Sequence, residues 1–134
     1  MSERCVIVVD QDLPSGLAAD AAAVLALTLG AREPCLAGAD FVDGDGESHP
    51  GLIPIGLPVL RATRDELVEL RQRAAADCVS VIDFPVFGQQ TNNYDEFRGM
   101  VAATAAAELS YLGVAVSGSR RAVGRLTGRF ALLR

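Results

Sequence analysis

No lysine occurs anywhere in the 134 residues, so, one histidine aside, arginine carries all the positive side-chain charge. A guanidinium stays protonated and cannot serve as a proton acceptor, which excludes chemistry that needs a side-chain amine as base. Cysteine is scarce as well: Cys5, Cys35 and Cys78 are widely spaced, odd in number and form no C-x-x-C pair. That pattern excludes a disulfide framework and suits a reducing compartment, with the thiols expected as small core residues. Adding His49 gives four soft ligands on paper, but none is paired at zinc-site spacing, so no metal is expected. Long apolar runs are also missing. The longest, from Ala21 to Leu29, is about half of the ~20 residues a membrane helix needs and is broken by Thr28. "MSERCVIVVDQD" lacks the long apolar core and small-residue cleavage site of a signal peptide. The expectation is a cytoplasmic protein with no membrane span.

Half the residues are apolar and 22% are charged, which excludes the composition of a disordered chain. Residues 1–134 are expected to form one domain around one core. The net charge of -5 argues against indiscriminate phosphate binding. Its distribution is uneven, because Leu112 to Arg134 holds no acidic residue while Arg120, Arg121, Arg125, Arg129 and Arg134 supply all the charge. Either a local positive field able to meet RNA or a solvated arginine face follows.

Short β-branched runs alternate with helical stretches. "CVIVV" (5–9) predicts a buried strand ending at Asp10, followed by a helix through "GLAADAAAVLALTLG" with Ser15 as its cap and Gly30 as its terminator. That helix is apolar around nearly its whole circumference, so burial on more than one side is expected, under a covering segment or the second copy of a homodimer. "FVDGDGESH" predicts a hairpin; its resemblance to a calcium loop fails because Ser48 stands at the glycine position and Pro54 at the closing acidic one. "LPVLRA" predicts a strand. "TRDELVELRQRAAA" predicts a helix with a capping box of Thr63 and Glu66 and a buried stripe of Leu67, Leu70 and Ala74. "CVSVIDF" and "YLGVAVSG" predict further strands, the first containing Cys78. A helix through "YDEFRGMVAATAAA" is capped by Asn93 with Glu96 reciprocating, "SRRAVGRLTG" is a short helix, and "RFALL" closes the sheet. Together these predict an α/β fold, a mixed β-sheet flanked by helices.

"FGQQTNNYDEF" (87–97) concentrates amides in a chain otherwise rich in alanine, valine and leucine. Asn93 has a capping task, and Asn92 a related one in the turn. Gln89, Gln90 and Thr91 are left between a strand end and a helix, where open α/β sheets place ligand contacts. A carboxylate at a strand end beside amides and a hydroxyl can orient a water for ester hydrolysis. Asp83, Thr91, Asp10 and Asp12 are therefore the candidate catalytic residues, provided the two strands are neighbours; the plainer alternative is that these aspartates only bind turn amides. Cys78, with only His49 available as a partner, lacks a nucleophile's context. "SGSRR" (117–121) places Ser117 at a strand end and Arg120 and Arg121 at a helix start, where free amides can hold an anion, or where Ser119 simply caps the helix. No fuller Gly-rich motif is present, and no cofactor is expected.

"RCVIVVDQDLPSGLAADAAA" resembles the opening of the type II peptidyl-tRNA hydrolases, and "YLGVAVSGSRRAVGRLTGRFALLR" is similar to their closing strand, helix and "TG" turn. "QTNNYDEF" followed by "AATAAAELSYLGVAVSG" resembles the bacterial proteins grouped as domain of unknown function 2000, which share that fold. The resemblance covers nearly the whole chain and implies a peptidyl-tRNA hydrolase II-like architecture. Those hydrolases use a lysine near the start of the first helix with an aspartate and a threonine after a later strand. The lysine position falls at or beside Leu17, while Asp83 and Thr91 match the other two in order along the chain, at a longer separation. Hydrolase activity is accordingly not carried over. The expected function is binding of a small polar or anionic ligand through Gln89, Gln90, Asn92 and Asn93, with Ser117, Arg120 and Arg121 as further ligand residues. One alternative is a hydrolase or acyl transferase acting on an RNA-linked or small ester, with Asp83 as base. Another is an interaction protein acting through a homodimer surface on the first helix.

Overall fold

The computed structural model describes residues 2–134. Its elements are β1 (Arg4–Asp10), α1 (Ser15–Arg32), β2 (Phe41–Val42), β3 (Ser48–His49), β4 (Val59–Ala62), α2 (Arg64–Ala76), β5 (Ser80–Pro85), α3 (Tyr94–Ala102), β6 (Tyr111–Gly118) and α4 (Arg120–Thr127). Four strands form a mixed sheet in the order β4-β1-β6-β5, with β1 and β4 parallel and β6 antiparallel to both β1 and β5. The α/β class with a mixed sheet is thus as the sequence predicts.

The central strands are the ones without alternation. Cys5–Asp10 and Tyr111–Ser117 are continuously buried, because helices cover both faces of the sheet. Val6, Val8, Val114 and Val116 face α2 and α4 and pack on Leu67, Leu70, Val123 and Leu126. Ile7, Val9 and Ala115 face α1 and pack on Ala18, Ala21 and Leu25. The Thr63 capping box forms in full, and Leu67, Leu70 and Ala74 make the buried stripe of α2.

Several local expectations give way to tertiary packing. Ser15 is the first helical residue, not the cap; Pro14 holds the cap position without a side-chain bond. Gly30 does not end α1, which runs on to Arg32 and seats Leu29 beside Cys5 and Leu36. The helix buries only Ala18, Ala21, Leu25 and Leu29, leaving Leu17, Val24 and Leu27 exposed. By length and composition alone α1 could also cross a membrane. Cys35 and Cys78 are exposed, unlike buried Cys5. Cys78 precedes β5 in a left-handed conformation with φ 57°, so the strand starts two residues later than "CVSVIDF" suggests. Asn93 caps α3, but Glu96 does not reciprocate, and the helix stops at Ala102 rather than running through the alanines.

The two sheet edges are treated differently. Along β4 the C-terminal tail adds itself: the Arg61 N–H donates to Ala131 O at 2.9 Å and the Leu133 N–H to Val59 O at 2.9 Å. "RFALL" therefore supplies a single bridge, Leu60 to Leu132, instead of a full strand. Along β5, among the described residues, no main-chain group of Ser80–Phe84 bonds outside the ladder with β6.

Candidate functional site

Beyond Pro85 the chain makes a tight turn over Val86–Gln89 and enters α3 at Tyr94. Its amides have distinct uses. Gln89 Nε2 donates to Leu17 O at 3.0 Å and to Asp20 Oδ2 at 3.1 Å, tying the turn to α1. Thr91 Oγ1 donates to Phe87 O at 3.1 Å, and Asn93 Oδ1 accepts from the Glu96 N–H at 2.8 Å. Among the described residues, the side chains of Gln90 and Asn92 make no hydrogen bond within the chain.

This loop borders a cavity of about 370 Å³ walled by Val24, Leu25 and Thr28 of α1, Ile82, Asp83 and Phe84 of β5, Tyr94 and Phe97 of α3, and Gly88 and Thr91–Asn93. Its size falls in the usual range for small-molecule sites, and its composition is typical of them: an apolar body with few polar groups. A second cavity, about 570 Å³, lies beside it against Leu29, Arg32, Glu33, Ser80, Val81 and Ser117, and shares Thr28, Ile82 and Asp83 with the first. The two make one groove between α1 and the open edge of β5.

The candidate acidic set does not come together. β6 lies between β1 and β5, so the strands carrying Asp10 and Asp83 are not neighbours. Both carboxylates turn toward α2: Arg64 Nε donates to Asp10 Oδ2 at 2.7 Å and Arg71 Nε to Asp83 Oδ2 at 3.2 Å. Those arginines are seven residues apart, about 10 Å along a helix rising ~1.5 Å per residue. Asp10 also accepts from the Asp12 N–H at 2.9 Å, and Asp12 itself is exposed. Thr91 stands on the other side of the sheet from the Asp83 carboxylate, at the α1 cavity.

The Asp10–Arg64 pair has a stability consequence. The Asp10 side chain is 2% exposed and that of Arg64 51%, so losing the arginine strands a carboxylate inside the fold. Arg64→Met is expected to destabilise by about 2 kcal/mol, the scale of a charge-assisted hydrogen bond to a buried ion. Chemical denaturation measures it, and a change within experimental error would mean that the pair contributes nothing.

Sequence reasoning passed over Arg71 and Tyr111. Burial first, and then the Asp83 charge, push the Tyr111 phenol above its ordinary value, with Arg71 opposing. The spacing of Arg64 and Arg71, two turns apart on one helix face, was the available signal. Val24, Tyr94 and Phe97 were missed because apolar residues on separate elements carry no common pattern until α1 and α3 meet.

Ser117, Arg120 and Arg121 lie at the opposite end of the sheet from the amide loop. Val114 is the partner of Asp83, and Gly118 is four residues further along β6, about 14 Å at ~3.4 Å per residue. Ser119 Oγ accepts from the Ala122 N–H at 3.2 Å, so the start of α4 is capped in the ordinary way. Ser117 is buried and donates to Glu33 Oε2 at 3.2 Å. Glu33 also accepts from the Ser2 N–H and hydroxyl. Burial pushes the Glu33 carboxyl up, but the bonds from Ser2 and Ser117 outweigh it and hold the group below its ordinary value. Burial, and then Glu33, raise the nearby Cys5 thiol, which keeps it unreactive.

A carboxyl with a depressed pKa in the fold stabilises at pH values above its unfolded pKa, and that contribution is lost as pH falls through the folded value. Glu33→Gln is therefore expected to lower stability near neutrality and to flatten the loss on acidification. Thermal melts from neutral to acid pH check this; parallel curves for the two proteins would contradict it. In the β2–β3 hairpin His49 stacks on Phe41 and bonds Asp43 at 2.9 Å, remote from the groove residues. The DGDGE segment is a turn, in which Asp43 Oδ1 accepts from the Asp45 and Glu47 amides and Gly46 takes φ 85°.

A mixed four-stranded sheet between helical layers, one edge closed by the chain's own tail and the other open onto a groove, defines a three-layer α/β protein. Its family is the one described as "Protein of unknown function (DUF2000)", whose model matches residues 3–134, and the chain belongs to it. No curated protein matches the sequence. A solved protein of unknown function from Agrobacterium tumefaciens strain C58 superposes with a TM-score of 0.87 over 96% of each chain, at 17% identity. At that identity the likeness is one of fold.

Proposed function

We propose that this protein is a ligand-binding domain of peptidyl-tRNA hydrolase II-like fold and that its site is the cavity between α1, β5 and the amide loop. The observation that carries the reading is the 370 Å³ space itself, walled by Val24, Leu25, Phe84, Tyr94 and Phe97 and edged by Thr91 and Asn92. An apolar group fits inside, with a polar head against Asn92 and the free main chain of β5. The ligand is thus small and amphipathic, a narrower class than a polar or anionic one, since no arginine lines this cavity. The acyl-ester alternative has less support, because Arg71 engages Asp83 on the far side of the sheet from Thr91, and Arg120 and Arg121 stand about 14 Å or more along it. The same distance disfavours an RNA-linked substrate held by those arginines.

Titration with benzamide and phenylacetate, followed by amide ¹H–¹⁵N spectra, tests the site. Shifts confined to Thr28, Ile82, Gly88 and residues 91–97 are expected. Shifts scattered over the surface, or none at millimolar probe, would refute it.

We also propose a cytoplasmic homodimer in which a second copy covers the exposed side of α1. Leu17 and Leu27, outside the residues that line the cavity, support this, with Leu27 78% exposed. A sedimentation mass that stays monomeric up to high concentration would remove that interface.

A further inference from the structure

β5 is a bare edge. In an antiparallel ladder alternate residues turn their N–H and C=O groups away from the partner strand, and on the β6-distal side of Ser80–Phe84 these groups have no hydrogen-bond partner among the described residues. The contrast with β4, where residues 131–133 add themselves as a partial strand, shows that this fold accepts strand addition at an edge. At β5 a helical wall stands alongside, with Val24, Thr28 and Arg32 following one another down α1.

Charge orients what can enter. On the α1 side the groove carries one carboxylate, Glu33, which is held by Ser2 and Ser117, whereas the Asp83 carboxylate turns to Arg71 on the far side of the sheet. Arg32 sits at the Ser80 end and, among the described residues, has no acidic partner. We infer that the groove takes the C-terminal segment of another polypeptide as an added strand antiparallel to β5, its terminal carboxylate at Arg32 and an apolar side chain in the 370 Å³ cavity. The inference rests on the reading of that cavity as a binding site and names its occupant.

Direction and register follow from the sheet. β5 runs from Ser80, beside Arg32, to Phe84, beside the amide loop, so an antiparallel strand ends at Arg32; a parallel one would bring its ammonium there, against a like charge. Ser80, Ile82 and Phe84 align across β6 with Cys5, Ile7 and Val9, residues of the α1 face. In the added strand, the last, third-from-last and fifth-from-last residues accordingly face α1. The fifth-from-last lies opposite Phe84 and enters the cavity. Five residues span about 14 Å between first and last Cα at ~3.4 Å each, the length of Ser80–Phe84. Main-chain bonds give affinity in such complexes, and the alternate side chains give selectivity.

The test is an array of heptapeptides with free C termini, followed by fluorescence anisotropy of those that bind. The expected result is selection for an apolar residue five from the end, and a loss of about tenfold on amidating the C terminus, the scale of one charge-assisted hydrogen bond. Arg32→Gln is expected to cost the same, with no further loss when combined with amidation. Slowed hydrogen exchange within residues 80–84 on peptide addition completes the signature. An array with no binder overturns the inference, as does binding indifferent to both amidation and Arg32→Gln. Residues 80–84 already protected by a second copy, in a concentration-dependent way and without peptide, also overturn it. If benzamide or phenylacetate binds the cavity while no peptide does, only this inference falls; if neither probe nor peptide binds, the site reading falls with it.

Discussion

Gly88→Ala is expected to destabilise the protein by about 2 kcal/mol and to abolish binding in the α1–β5 cavity. A Cβ at position 88 would overlap Phe84 Cε1 and lie 2.6 Å from Cζ, so the ring has to move. Phe84 packs against the Ile7, Val9 and Leu25 cluster on one side and borders the cavity on the other. Close-packed neighbours leave the ring no room on the core side, and the cavity is where it can swing. The substitution therefore closes the site from within. Denaturation curves give the stability change, and spectra in the presence of benzamide give the binding. Wild-type affinity in the folded variant would mean that the ring moves elsewhere and that the cavity is not shaped by this contact.

The second large effect concerns how α1 reaches the sheet. Leu25 is 1% exposed, and truncating it to alanine is expected to cost about 3 kcal/mol through lost burial and the space left behind. Its Cδ1 lies 2.9 Å from where a Cβ at Gly113 would be, with Val8 O at 3.0 Å. Gly113→Ala is consequently expected to cost about 2 kcal/mol by overpacking, since the main chain of β1 cannot yield as a side chain can. Combined, the two changes should cost less than their sum by about 1 kcal/mol, because removing the Leu25 methyl relieves the sharper clash. A double-mutant cycle by urea denaturation reads the coupling. Strict additivity would show that α1 does not rest on Gly113 in the way the packing indicates.

Much of the architecture was legible because it is written in short-range chemistry. Thr63 and Glu66 announce a helix start through reciprocal bonds that need no tertiary context. "CVIVV" and "YLGVAVSG" read as central strands because only a strand covered on both faces can bury every residue. Gly30 misled for the converse reason. Its freedom to end a helix is local, whereas the burial of Leu29 against Cys5 and Leu36 is long-range and keeps α1 helical through Arg32. Cys78 read as strand because nothing in its side chain signals φ 57°.

The candidate site was legible only in part. The amide run pointed to the loop that the cavity adjoins. Strand order was not readable, so nothing in the sequence revealed that β6 separates Asp10 from Asp83, or that α2 supplies an arginine to each. The apolar walls were hidden for the same reason, since Val24 and Tyr94 belong to helices that meet only once the sheet has formed.

The most direct test of the central claim is a crystal soaked with 4-bromobenzamide, in which anomalous scattering from bromine locates the ring. The bromine is expected between Val24, Phe84 and Tyr94, with the carboxamide toward Asn92 and the β5 main chain. Bromine found only elsewhere, such as against the exposed Phe41 and Leu52 side chains, would contradict it.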